Sequence, residues 1–239
     1  MRGGSLRSGP RPAPRARQVD LAQTPLRELN AALHAPGVAG RWRVLNPRGA
    51  HALAVGIDAP VEVEIDGHAG YYCAGMNQAA SVTINGHAGQ GLAENIMSGM
   101  VRVTGNASQA AGASGHGGLV VIEGDASSRC GISMKGVDIV VRGSVGHMSA
   151  FMAQAGHLVV CGDAGPDLGD SLYEAVLYVR GTVASLGSDC IEKTMTEAHR
   201  ATLEDLLERA GFELEPREFR RYGSARQLYN FHIDHAGSY

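Results

Sequence analysis

The chain has 239 residues, 33 of them glycine, with 21 basic and 24 acidic side chains and a formal charge of -3. That balance argues against a dedicated nucleic-acid binder. The 44% hydrophobic fraction argues against wholesale disorder, and no apolar run reaches the ~18 residues of a membrane span.

Residues 1–17 carry five arginines among Pro and Gly and lack an apolar core. They read as a disordered basic tail rather than a secretory leader, which together with unpaired cysteines points to the cytoplasm. Residues 18–50 read as a helix and cap. Thr24-Pro25 opens a helix with Leu26, Leu29 and Leu33 on one face, and Pro36-Gly37 closes it.

Residues 51–191 hold a repeat of nineteen. Gly67, Gly86, Gly105, Gly124, Gly143, Gly162 and Gly181 follow one another without a slip. Four residues before each stands Val63, Val82, Val101, Val120, Ile139, Leu158 or Leu177. Two before stands Ile65, Ile84, Val103, Ile122, Val141, Val160 or Val179. Two after stands Ala or Val. This period-two pattern is a strand with one face inward. The glycine supplies a bend, either where a Cβ would clash or where φ must be positive. Nineteen residues are too few for a strand–helix–strand crossover and suit one coil of a solenoid. The expected fold is all-β: a right-handed parallel β-helix of about seven coils, with short helical caps at both ends.

Residues 192–239 read as a C-terminal helix and an aromatic tail. Thr194-Met195-Thr196-Glu197 forms a capping-box pattern. Met195, Ala198, Leu203, Leu206, Leu207 and Ala210 make an apolar stripe, and Gly211 ends the helix. The outward strand residues Val121, Val140 and Val159 stack on consecutive coils, so this strip is expected to be covered by a partner or by the tail.

Chemistry is sparse. His68 and His87 share a column continued by Asn106, Asp125, Ser144, Asp163 and Thr182, the composition of a solvated polar ladder rather than of a metal site. His232-Ile233-Asp234-His235 lacks distant ligand partners. Gly112 to Gly118 resembles a phosphate loop in composition but lacks its lysine and helix. Cys73 and Cys130 keep small, apolar company and read as structural thiols. In the outward column beside the bend, Glu123 is expected to pair with Arg142. No catalytic, cofactor-binding or metal-ligating residue is assigned. Met76 with its neighbours Gly75, Asn77 and Gln78, and the arc Glu94 to Gly99, lie on corresponding parts of the first two coils. They form a candidate partner-binding face.

The repeated strand-Gly-x-Ala-Gly unit resembles the GXGXG β-helix at the carboxy terminus of glutamate synthases, which also occurs in a subunit of formylmethanofuran dehydrogenases. Gly67-His68-Ala69-Gly70-Tyr71-Tyr72, Ser133-Met134-Lys135-Gly136, Gly143-Ser144-Val145-Gly146 and the tail Ala225 to Phe231 resemble the stand-alone GlxC type. That family includes the β-helix subunit of N-methylglutamate synthase. The resemblance implies a non-catalytic subunit that couples an amidotransferase to a synthase. It implies as partners a class II glutamine amidotransferase-like subunit and an FMN-binding glutamate synthase-like subunit, with no nucleic acid and no membrane. FMN and an iron-sulfur cluster are expected in a partner and no cofactor in this chain. The alternatives are a scaffold in a formylmethanofuran dehydrogenase-like redox complex and a β-helix carbohydrate-active enzyme.

Overall fold

The computed structural model describes residues 16–227. It is a parallel β-solenoid of about seven coils. Eleven strands form one sheet in the order β1-β2-β3-β4-β5-β6-β7-β8-β9-β11-β10. They are β1 (Arg17–Asp20), β2 (Arg41–Leu45), β3 (Glu62–Asp66), β4 (Ser81–Asn85), β5 (Met100–Val103), β6 (Leu119–Ile122), β7 (Lys135–Val141), β8 (Ala155–Val160), β9 (Val176–Val179), β10 (Cys190–Lys193) and β11 (Arg220–Ser224). From β3 to β9 the register advances by one repeat: Val63 faces Val82, Val82 faces Val101, and so on to Leu158 and Leu177. The two inward columns are buried throughout. Beyond the bend, Ala69, Ala88, Ala107, Ala126, Val145, Ala164 and Val183 bridge in turn, adding a second inner rung.

The repeated glycine is required by close approach. A Cβ on Gly143 would lie 2.2 Å from Asp125 Oδ1 and 2.7 Å from the Gly124 carbonyl, and Gly124 meets Asn106 Oδ1 at 2.1 Å. Only Gly67, at the first full coil, has positive φ in this column. The glycine therefore clears space for the polar side chain of the preceding coil, and of the two reasons open from sequence the clash decides.

The remaining arc of each coil turns by a different device. Residues five, seven and nine after each of the first six coil glycines have left-handed φ, as at Tyr72, Ala74 and Met76 on the first coil and Met148, Ala150 and Met152 on the fifth. Such backbone costs a non-glycine residue of order 1 kcal/mol or more. Inter-coil hydrogen bonds hold it in place. Tyr72 N donates to Gln90 O (2.8 Å), Ala74 N back to Leu53 O (2.9 Å) and Met76 N forward to Glu94 O (2.7 Å). The arcs thus satisfy their backbone upward and downward by turns, as a sheet does.

Both ends are covered. Helix α1 (Leu26–Leu33) buries Leu29 and Leu33. Its Asn30 imitates the peptide of a missing coil: Nδ2 donates to Ala52 O (2.8 Å) and Oδ1 accepts from Ala54 N (3.0 Å). Strand β1 had no sequence signal, and it takes Arg17 from the expected tail. At the other end β11 returns antiparallel between β9 and β10. Helix α2 (Glu197–Ala210) lies on the outer face of the sheet. Its Leu203, Leu206, Leu207 and Ala210 cluster with Val121, Val140, Val159 and Tyr178, so the strip is covered by the chain's own C-terminal segment. Ala198 is exposed, and the stripe is one position shorter than its pattern. The helix begins two residues later than the T-x-x-E pattern: Thr196 is the N-cap and accepts from His199 N. Gly211 closes it at φ 74°.

Candidate functional site

The polar ladder is the feature most like a site, and its geometry shows what it does. His68 Nδ1 accepts from His87 N (3.0 Å), His87 Nδ1 from Asn106 N (2.9 Å), Asn106 Oδ1 from Asp125 N (3.0 Å) and Asp125 Oδ1 from Ser144 N (2.8 Å). Ser144 Oγ accepts from Asp163 N (2.9 Å), and Asp163 Oδ1 from Thr182 N (2.7 Å). Each side chain fills the space its successor's glycine leaves open and satisfies a backbone donor there. These bonds hold the Asp163 carboxyl below the usual carboxylate range, the Thr182 backbone N–H first and its hydroxyl second. The stacked rings of His68 and His87 lie 4.9 Å apart, yet they are poor metal ligands. With Nδ1 accepting, the neutral ring carries its proton on Nε2. A cation at Nε2 would therefore require an imidazolate. No group of three metal-ligating side chains occurs among the described residues.

The thiols are inert. Burial pushes Cys73 and Cys130 up to about 12. Cys161 is covered beside α2, and burial raises it to about 12 against the opposing pull of Arg180 and Arg142. Cys190 stands at about 12 as well, through burial and then the neighbouring Asp189 and Asp170. None has the thiolate character of a nucleophile.

The expected Glu123–Arg142 pair does not form. Glu123 accepts from Arg102 NH1 (2.8 Å), while Arg102 NH2 donates to Ala210 O (2.9 Å) at the end of α2. Arg102 reaches both because its column faces the docked helix, whose terminal carbonyls attract a cation. Arg142 instead lies over the Phe212 ring at 5.5 Å. Glu123 is thereby committed to fastening the helix rather than to acid–base chemistry. Beneath the same helix His157 Nδ1 meets Asp138 Oδ1 at 2.8 Å. The Tyr178 hydroxyl is buried without a hydrogen-bond partner among the described residues, and burial lifts it to about 12.

The chain ahead of α2's cover is polar. A groove of about 490 Å³ on strands β2 to β4 is lined by Arg41, Arg43, Glu62, Glu64, Ser81 and Thr83. Arg41 pairs with Glu62 and Arg43 with Asp66, each at 2.6 Å. Asp66 sits below the ordinary carboxylate range, through Asn85 first and then Arg43. These charges compensate one another.

The Gly112–Gly118 loop is the arc of the third coil, as its register predicts, and has no helix after it. Asn77, taken from sequence as part of an exposed amide patch, is fully buried. Its amide donates to Ala80 O (2.8 Å) and Ser98 O (3.1 Å). Met76 and Met97 are exposed. The His232–His235 cluster lies outside the described residues. No helix among the described residues is long and apolar enough to cross a membrane.

Comparison with known proteins finds a close relative. Protein GlxC of Rhizobium meliloti (strain 1021) is 62% identical over 225 residues, spanning 92% of this chain and 99% of the relative. The chain belongs to the GlxC family. No family model and no solved structure matches the chain.

Proposed function

We propose that this GlxC-family chain is a non-catalytic structural and coupling subunit of a glutamate synthase-type complex. The full-length kinship with GlxC carries this reading, together with the resemblance of its nineteen-residue unit to the glutamate synthase β-helix. Its polar side chains support it too: ladder and outer-column groups hold backbone or neighbouring side chains rather than converging on a pocket. Within that class we favour N-methylglutamate synthase, in which methylamine would replace ammonia as the amine joined to a glutamate precursor. The solenoid would hold an amidotransferase-like subunit and an FMN synthase-like subunit in register, with flavin and iron-sulfur chemistry residing in the latter.

Complementation tests this. A host lacking the chain should lose methylamine-dependent formation of N-methylglutamate in extracts, and adding back the purified chain should restore it. Turnover by the isolated chain alone would overturn the reading. Loss of a molybdenum- or tungsten-dependent oxidation, with amine transfer intact, would favour the formylmethanofuran dehydrogenase-like alternative.

A further inference from the structure

The arcs of the first five coils form one continuous face: residues 71–80, 90–99, 109–118, 128–137 and 147–156. Of these fifty residues only three are charged, Glu94, Arg129 and Lys135, against 19% for the whole chain. Five of the six large apolar side chains that stand exposed among the described residues lie here: Tyr71, Tyr72, Met76, Met97 and Met152. Depletion of charge with enrichment of Tyr and Met marks the centre of a protein interface.

The layout of the face identifies its occupant. Its carboxylate is on the second coil, where Glu94 and the Tyr72 ring both lie over Gly91. Its cations, Arg129 and Lys135, are exposed on the fourth coil. None of these three side chains has a hydrogen-bond or ion-pair partner among the described residues. Met76 on the first coil is matched by Met152 on the fifth, four repeats later in the same column. Between them the third coil presents eight Gly, Ala or Ser in ten positions, which lets two backbones approach. A two-fold axis through the third coil sends the second coil to the fourth and the first to the fifth. It therefore sets Glu94 against the cations of a second copy, twice, and joins the two methionine ends.

We propose that this face is a self-complementary, antiparallel interface with a second copy of the chain. Isologous contacts require this kind of reciprocal pairing. Its occupant is a second solenoid rather than an amidotransferase or flavoprotein, which leaves the polar outer face of β2 to β4, ahead of α2, for other subunits.

Analytical ultracentrifugation of the full chain over a wide concentration range tests it. The mass should rise from 25.0 kDa towards twice that value. Glu94→Lys and Lys135→Glu should each weaken association about tenfold or more, and the double exchange should recover most of the loss, because opposite charges then meet again. Arg200→Glu on the far side of α2 should have no effect. Methionine-oxidation footprinting supplies a second readout: Met76, Met97 and Met152 should become protected together as concentration rises. A single 25.0 kDa species at every concentration, or a dimer indifferent to both charge reversals, would overturn the proposal. So would protection of Met76 and Met97 without Met152, which would assign the face to a different partner.

Discussion

Gly143→Ala tests the link between the glycine column and the polar ladder. The new methyl would sit 2.2 Å from Asp125 Oδ1 and 2.7 Å from the Gly124 carbonyl. Asp125 can rotate away, but it then gives up the bond to Ser144 N, worth about 1 kcal/mol net. The carbonyl cannot move without shifting the coil, and such overpacking costs about 2 kcal/mol. The single substitution should therefore cost about 3 kcal/mol, and Asp125→Ala alone about 1 kcal/mol. In the double variant the lost bond is counted once, so the total is about 3 kcal/mol rather than 4, a coupling of about 1 kcal/mol. Urea denaturation followed by far-UV circular dichroism measures each term, provided the slope is unchanged among variants. Additivity within ~0.3 kcal/mol would refute a shared origin of glycine and ladder. A Gly143→Ala cost below ~1 kcal/mol would refute the clash itself.

Tyr178→Phe removes a buried hydroxyl that has no partner among the described residues, so thermal unfolding should show unchanged or higher stability, by up to about 1 kcal/mol. Asn30→Ala removes both bonds that close the first arc. It should cost about 2 kcal/mol, with hydrogen exchange accelerated at Ala54 before the central coils. The Asp163 carboxyl titrates below its usual range in the folded chain, so its stabilisation is present above the unfolded-state pKa and is lost as pH falls through the folded-state one. Asp163→Ala should accordingly be less stable than the parent at neutral pH, and the gap should close in strong acid. A gap independent of pH would show that the charge is not involved.

The coils were legible because a solenoid repeats one solution. Seven copies of Val63-x-Ile65-x-Gly67 state the strand, its inward face and the bend more clearly than any single strand could. The ladder was legible for the same reason, through the polar column from His68 to Thr182. The arcs were not. Their left-handed residues are as varied as Tyr72, Arg129, Met148 and Asp167, since hydrogen bonds to neighbouring coils impose the conformation and no turn signature is needed. Strands β1 and β11 were missed because each is short and gains its place from one neighbouring edge. The apolar outer strip did announce a cover, and the leucines of α2 supplied it. Glu123 was paired with the wrong arginine because column adjacency says nothing of a helix arriving from residue 210. Its terminal carbonyl draws Arg102 across.

The most direct test of the account is to purify the tagged chain from its native host, record the visible spectrum and identify the accompanying chains by mass spectrometry. A coupling subunit predicts a yellow-brown complex holding an amidotransferase-like chain and a flavoprotein of the synthase type. A colourless preparation without either chain would contradict it.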